Sequence, residues 1–207
     1  MKVQPFFTPL HPVQLEGYGL ILQPLQKGHE PGLANAAADG ELWKLHYTSV
    51  PEPDHEAAYI AQALEQQALG TQLAFTVKDA KTKEILGTTR YHDILPDVAR
   101  LEIGYTWYKQ SAQRTAVNTA AKYLLLFYAF ESLKANIVGW RTDSENLRSQ
   151  AAIARLGAQK DGMIRGNRLR RDGTVGDTVY FSMSREEWPE HKARLLARLT
   201  TPSTTLS

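Results

Sequence analysis

A chain of 207 residues that is 43% hydrophobic suffices for one compact domain with a sizeable core, and no shift in composition marks a second. A formal net charge of +2 is too small to imply a nucleic-acid partner, and the absence of cysteine excludes a disulfide framework, a thiolate nucleophile and a cysteine-ligated zinc. The start, MKVQPFFTPLHPV, lacks the apolar core of a signal peptide and no stretch reaches transmembrane length, so a soluble cytoplasmic protein without membrane association is expected.

Residues 1–12, with three prolines and two phenylalanines, read as an arm that packs on the domain or on a partner subunit; residues 13–199 form the domain and 200–207 a loose tail. QLEGYGLILQPL over 14–25 reads as a first strand with a bend or bulge at Gly17 and Gly19. Short helices are expected over 28–39 and 41–47. Asp54 is placed as the N-cap of a helix to Leu69 with an apolar stripe of Ala57, Ile60, Ala61, Leu64 and Ala68. Segments 72–78 and 84–92 form an antiparallel pair joined by the polar turn DAKTK.

From Arg100 to Lys109 a strand is expected, with Leu101, Ile103, Tyr105 and Trp107 on one face. Ser111, Gln113, Arg114 and Thr115 then interrupt the apolar pattern, Asn118 is read as an N-cap, and a helical apolar run follows from Ala120 to Leu133. A polar loop feeding a helix N-terminus offers unpaired N–H groups and the positive end of the helix dipole, which suits a phosphate. Later come a strand over 136–142, a helix from Asn146 to Leu156 stopped by Gly157, two strands, and a helix begun by the capping box Ser184-x-x-Glu187. This order specifies an α+β or mixed α/β domain with a largely antiparallel sheet. The basic run RGNRLRRDG reads as a hairpin turning at Asp172-Gly173, usually a solvated edge.

The loop Gln113, Arg114, Thr115, Ala116, Val117, Asn118 resembles the pyrophosphate loop Gln/Arg-x-x-Gly-x-Gly/Ala of the GCN5-related N-acetyltransferases, the GNAT family. LEGYGLILQPL, EILGTTRY, LEIGYTW, NLRSQAAIARLGA and DTVYFSMSREEW fall in that family's order and are similar to its RimJ/RimL-type branch. The resemblance implies a GNAT-like fold, a mostly antiparallel sheet with one splayed parallel strand pair, here 100–109 and 136–142. It implies acetyl-CoA as acyl donor, no metal, and direct attack by a primary amine, on a small molecule or a protein N-terminus, in a ternary complex. It assigns the pantetheine arm to the backbone of Thr106, Trp107 and Tyr108 and to Asn146, and the diphosphate to the loop 113–118. Dimerisation is expected from the family alone.

Acyl transfer to a lysine-like amine needs help with deprotonation, because only about one molecule in a thousand is neutral at pH 7. Glu102 is the best-placed carboxylate, either as base, directly or through water, or as a structural ion-pair partner of Arg90 or Arg141. His92 and Asp93 are lesser candidates. Carbonyl polarisation in the family comes from a backbone N–H freed by a bulge in this strand, at or near Gly104. The resemblance places a tyrosine acid where Ile153 stands, while Ser149 matches the serine of the RimL-like branch as proton donor. Arg114 is favoured for phosphate contact, whereas Lys122 is assigned to the outer helix face. Ala116 costs little if its backbone is ordinary right-handed helix and weakens binding if φ must be positive. Trp43, Tyr47, Tyr91, Trp107 and Trp140 are candidates for an acceptor pocket, most of them expected in the core. The rival reading is a non-catalytic GNAT-like module that binds acyl-CoA or a macromolecule. The six histidines show no metal-ligand spacing.

Overall fold

The structure is a computed structural model describing residue 5 and residues 10–200. The expected arm and tail lie mostly outside these residues, although Leu10 is buried in the main core. One eight-stranded sheet runs in the order β1-β2-β3-β4-β5-β6-β8-β7: β1 Leu15–Gly17, β2 Leu20–Pro24, β3 Leu73–Asp79, β4 Ile85–Leu95, β5 Arg100–Tyr108, β6 Ile137–Asp143, β7 Gln159–Leu169 and β8 Val175–Ser184. Every neighbouring pair is antiparallel except β5 and β6. The expected single first strand is a hairpin, because Tyr18 and Gly19 both adopt positive φ (51° and 76°) and reverse the chain between Gly17 and Leu20.

Helices α1 (Glu30–Ala38) and α2 (Glu56–Ala68) cover one face, burying Leu33, Ile60 and Ala63 with Ala74 and Trp107. Helix α3 (Val117–Phe127), α4 (Leu147–Leu156) and α5 (Trp188–Thr200) pack into the main core with Leu22, Phe75, Tyr91, Leu101 and Ile103. That Ala74 and its neighbour Phe75 belong to different clusters follows from strand alternation. In α2 the N-cap is His55, since Asp54 sits at φ 68°; the buried positions are Glu56, Ile60 and Ala63, leaving Ala57 and Ala61 exposed. Small alanines bury too little area to fix which face turns inward.

Three helix ends match their sequence signals. Asn146 Oδ1 accepts from the Ser149 amide at 3.0 Å and Gly157 closes α4 at φ 107°, while Ser184 and Glu187 exchange hydrogen bonds of 2.7 and 3.3 Å ahead of α5. At α3 the N-cap is Ala116, not Asn118; the Thr115 hydroxyl accepts from the Val117 amide at 3.3 Å in its stead. The expected run to Leu133 continues beyond α3 as a π-helical turn over Tyr128–Ser132.

Strands β5 and β6 pair only where Arg100, Leu101 and Glu102 face Ile137, Val138 and Gly139. Beyond Glu102 they diverge. On its other edge β5 carries a bulge: Thr88 faces Trp107 and Arg90 faces Gly104, so Thr89 alone opposes Tyr105 and Thr106. Tyr105 takes the left-handed conformation, φ 51°. One added residue inverts the alternation, which corrects the expected face: Leu101, Ile103 and Tyr108 lie in the main core, Tyr105 is exposed, and Trp107 joins the α1/α2 cluster.

Candidate active site

The wedge between the diverging halves of β5 and β6 has Glu102 at its apex and the N-termini of α3 and α4 at its mouth. Four residues of β6 separate Gly139 from Asp143, so the wedge is about 13 Å deep at strand rise. Among the described residues, the edge of β5 that faces β6 has no strand partner from Ile103 to Tyr108. At the mouth, Arg114, Thr115 and Ala116 are exposed. Their amides and those of Asn118 and Thr119 have no backbone acceptor among the described residues. Ala116 lies at φ −68°, ψ −14°, so its methyl imposes no strain; the left-handed position is Arg114, at φ 62°. The Gln113 side chain donates to the Tyr108 carbonyl at 2.8 Å and so shapes the loop from inside. Asp39, at the end of α1, accepts from the Ser111 hydroxyl (2.6 Å) and amide (3.2 Å), tying the loop's start to the other layer.

Glu102 is 4% exposed. Its Oε2 accepts from Arg141 Nε at 2.8 Å and its Oε1 from Arg100 Nη2 at 3.3 Å. Burial raises the carboxyl above its ordinary value, and Arg100 pulls it back. Of the two structural partners offered by the sequence, Arg141 is therefore found and Arg90 is not. Gly139 makes the room: a Cβ there would lie 2.7 Å from Arg100 Nη2 and 3.0 Å from Glu102 Cγ. Gly104 is equally constrained, since its Cβ would meet His92 Nε2 at 2.2 Å.

His92, opposite Glu102 on β4, is buried and its pKa is lowered to about 3, first by desolvation and then by Arg141, Arg90 and Lys122. It is neutral at physiological pH. Asp93 is half in solvent and pairs with Arg141. His92, Asp93 and Glu102 each bring one ligand-type atom within 4.8 Å of the others, a cluster that sequence spacing did not show; the Arg141 guanidinium already pairs with both carboxylates there, and Arg100 with Glu102.

Arg90 is 1% exposed, lies 4.4 Å from the Tyr59 ring centre and 4.5 Å from that of Tyr105, and gives one hydrogen bond, to Gln72 Oε1 at 3.0 Å. Lys122, expected on the outer face of α3, points inward and is 5% exposed. Its Nζ lies 2.5 Å from Thr106 Oγ1 and 3.3 Å from Thr89 Oγ1. It forms no ion pair among the described residues. Burial lowers its pKa to about 7. Its sequence neighbours Ala120, Ala121, Tyr123 and Leu125 are all buried, so the wide apolar arc of α3 was the available sign that position 122 faces inward.

Ser149 is half-buried in the first turn of α4 and Asn146 caps that helix, both at the mouth and remote from Glu102 along β6. Ile153, where the tyrosine acid was sought, is buried in the main core. Of the aromatic candidates, Tyr91, Trp107 and Trp140 are core; Trp43 is partly buried against the α1/α2 cluster, and Tyr47 packs edge-on to His46. The basic hairpin lies along the exposed edge of the sheet, as expected, but two of its arginines are engaged. Arg170 binds Asp143 at 2.8 and 2.9 Å and Glu145 at 2.7 Å, whereas Arg171 donates to the carbonyls of Trp43 (3.0 Å) and Val50, and its amide to that of His46 (3.2 Å). The β7–β8 hairpin is thus tied to segment 41–52. No helix among the described residues is long and apolar enough to cross a membrane.

Residues 19–159 match the family model described as acetyltransferase (GNAT) domain. A crystal structure from T. thermophilus, provisionally named an acetyltransferase, is 34% identical, covers 92% of this chain and 98% of its own, and superposes with a TM-score of 0.80. The Bacillus subtilis protein YdaF, provisionally named a ribosomal N-acetyltransferase, is 32% identical over 108 residues, which are 52% of this chain and 58% of that protein. The fold is also that of Mycobacterium smegmatis RimJ, solved in complex with CoA-disulfide: 18% identity, TM-score 0.75, 95% of this chain and 97% of that one. Matched by the family model over residues 19–159 and by solved structures over nearly its whole length, the chain belongs to the GNAT family of acyl-CoA-dependent N-acyltransferases.

Proposed function

We propose that the protein transfers an acetyl group from acetyl-CoA to a primary amine by direct attack within a ternary complex. The observation that carries this reading is the wedge itself: an unpaired β5 edge leads from the free amides at the start of α3 to a buried carboxylate at the apex. A diphosphate suits the amides of Arg114, Thr115, Ala116 and Asn118, with the Arg114 side chain exposed beside them. An extended amide chain suits the edge of Thr106, Trp107 and Tyr108, and Asn146 lies across the mouth. Acetyl-CoA supplies an activated thioester; the chain's task is to aim it, accept a proton and exclude water.

Glu102 is the base. Burial makes its carboxylate a better proton acceptor than one in water, and two guanidiniums keep it ionised until a proton arrives. Its reach to the amine runs directly or through one water. The bulge at Tyr105 and Thr106 breaks the β4 ladder and supplies the N–H to polarise the carbonyl, an effect of about 3 kcal/mol for one such donor. Ser149 is the candidate proton donor to the departing thiolate, although a thiol near pKa 8.5 can leave without one. The acceptor is an amine on a protein N-terminus, as the name of YdaF suggests, or on a small molecule; dimerisation stays a family-level expectation.

Calorimetry with acetyl-CoA, followed by thiol release with N-terminal peptides and small amines, tests the reading. Binding with turnover that Glu102→Gln abolishes supports it; no heat with acetyl-CoA refutes it. Binding without turnover on any amine favours the non-catalytic module, the one reading that the buried Ile153 at the acid position speaks for.

A further inference from the structure

The bulge leaves a gap in the β4/β5 ladder, and a set of side chains fills it. Thr89 and Thr106 lie across it with their hydroxyls 2.8 Å apart, and the Thr106 hydroxyl reaches the Gly104 carbonyl at 3.3 Å. Lys122 comes from α3 beneath both, at 2.5 and 3.3 Å. With no carboxylate partner among the described residues, the buried Lys122 amine is held by these two hydroxyl contacts. Tyr105, one residue away, holds a left-handed backbone, φ 51°, that is unfavourable for a tyrosine. A strained bulge persists only where its surroundings over-determine it, and Lys122 is the group that does so from the α3 side.

We propose that Lys122 is a positioning residue for the acyl group: through the Thr89 and Thr106 hydroxyls it locks the Tyr105–Thr106 bulge, fixing the backbone donor that meets the thioester carbonyl. This rests on the proposed use of the β5 edge for acyl-CoA. Lys122 touches no reacting atom. Its contribution lies in telling acetyl-CoA from CoA, since both share the diphosphate and pantetheine but only one has the carbonyl.

The test compares wild type with Lys122→Met, which keeps the length of the side chain and removes its donors, and with Thr89→Val, which leaves the lysine and β5 intact. Three quantities are read on the full chain: backbone hydrogen exchange at 105–107, the ratio of dissociation constants for CoA and acetyl-CoA, and steady-state rates. Lys122→Met is expected to speed exchange at 105–107, to lower kcat about tenfold or more with the acceptor KM unchanged, and to erase the preference for acetyl-CoA while CoA affinity holds within about twofold. Thr89→Val moves each in the same direction by less. Unchanged exchange at 105–107 overturns the proposal whether or not wild type binds acetyl-CoA, and so does an equal loss of CoA and acetyl-CoA affinity, which assigns Lys122 to the loop or the fold. Should Lys122→Met not fold, Thr89→Val decides alone: wild-type exchange and wild-type discrimination overturn the proposal. Faster exchange in a protein whose wild type ignores acetyl-CoA keeps the buttress and removes its functional meaning, which separates the two failures.

Discussion

Replacing Lys122 by methionine should stabilise the protein, and by an amount that depends on pH. An ordinary lysine titrates near 10.5, while burial beneath the β5 bulge lowers Lys122 to about 7. Between those values the unfolded chain holds a proton that the folded chain has lost, so wild-type stability rises with pH across that window. Relative to an ordinary lysine the full penalty, present below pH 7, is about 5 kcal/mol, and it fades by about 1.4 kcal/mol per pH unit toward 10.5. Methionine keeps the apolar stem packed and removes the titration. Its advantage over wild type should therefore shrink by about 3 kcal/mol between pH 6.5 and pH 9.5, even if lost hydrogen bonds to Thr106 and Thr89 make the absolute gain smaller. Urea unfolding followed by tryptophan fluorescence at the two pH values gives this double difference, in which all other titrating groups cancel. A difference that stays within about 0.5 kcal/mol across that range would show that Lys122 keeps an ordinary pKa, and the account of its burial would be refuted.

Glu102→Gln should reduce kcat about a hundredfold or more and abolish the acid limb of the rate profile, a limb that in wild type lies above the ordinary carboxylate value because burial raises Glu102; a retained limb assigns it to another group. Ala116→Gly should change acetyl-CoA affinity by about twofold at most, measured by calorimetry, since Ala116 is already right-handed helical; a large gain would mean that bound acyl-CoA demands another conformation. Asn146→Ala removes the acceptor of the Ser149 amide and should cost about 1 kcal/mol in thermal unfolding, with no change in the pH profile if Asn146 only caps.

Much of the frame was legible because local signals and tertiary packing agreed. The DAKTK turn, the Asn146 and Gly157 ends of α4 and the Ser184/Glu187 box each need only a few adjacent residues, and each is found. The order of motifs likewise carried the splayed pair and the loop. What escaped depends on residues distant in sequence. The bulge at Tyr105 is set by the register of β4 against β5, and a period-2 reading cannot register an inserted residue, so Trp107 was put on the wrong face. Lys122 was assigned to solvent by residue type, although the helix around it is buried almost all round. Gly139 showed no function until Arg100 and Glu102 were found packed against it. The hairpin arginines looked solvated because the carbonyls they bind lie more than a hundred residues earlier.

That last pairing couples two segments that any exchange of parts within such a scaffold would have to keep together. Segment 41–52 has no regular structure beyond a short 3-10 turn at Leu42–Lys44, and its carbonyls are held by guanidiniums that arrive from the far end of the chain. A chimera that imports this segment from a relative must therefore import residues 165–172 with it. Transplanted alone, the new segment would meet arginines positioned for different carbonyls, and its irregular backbone would lose the contacts that hold its shape.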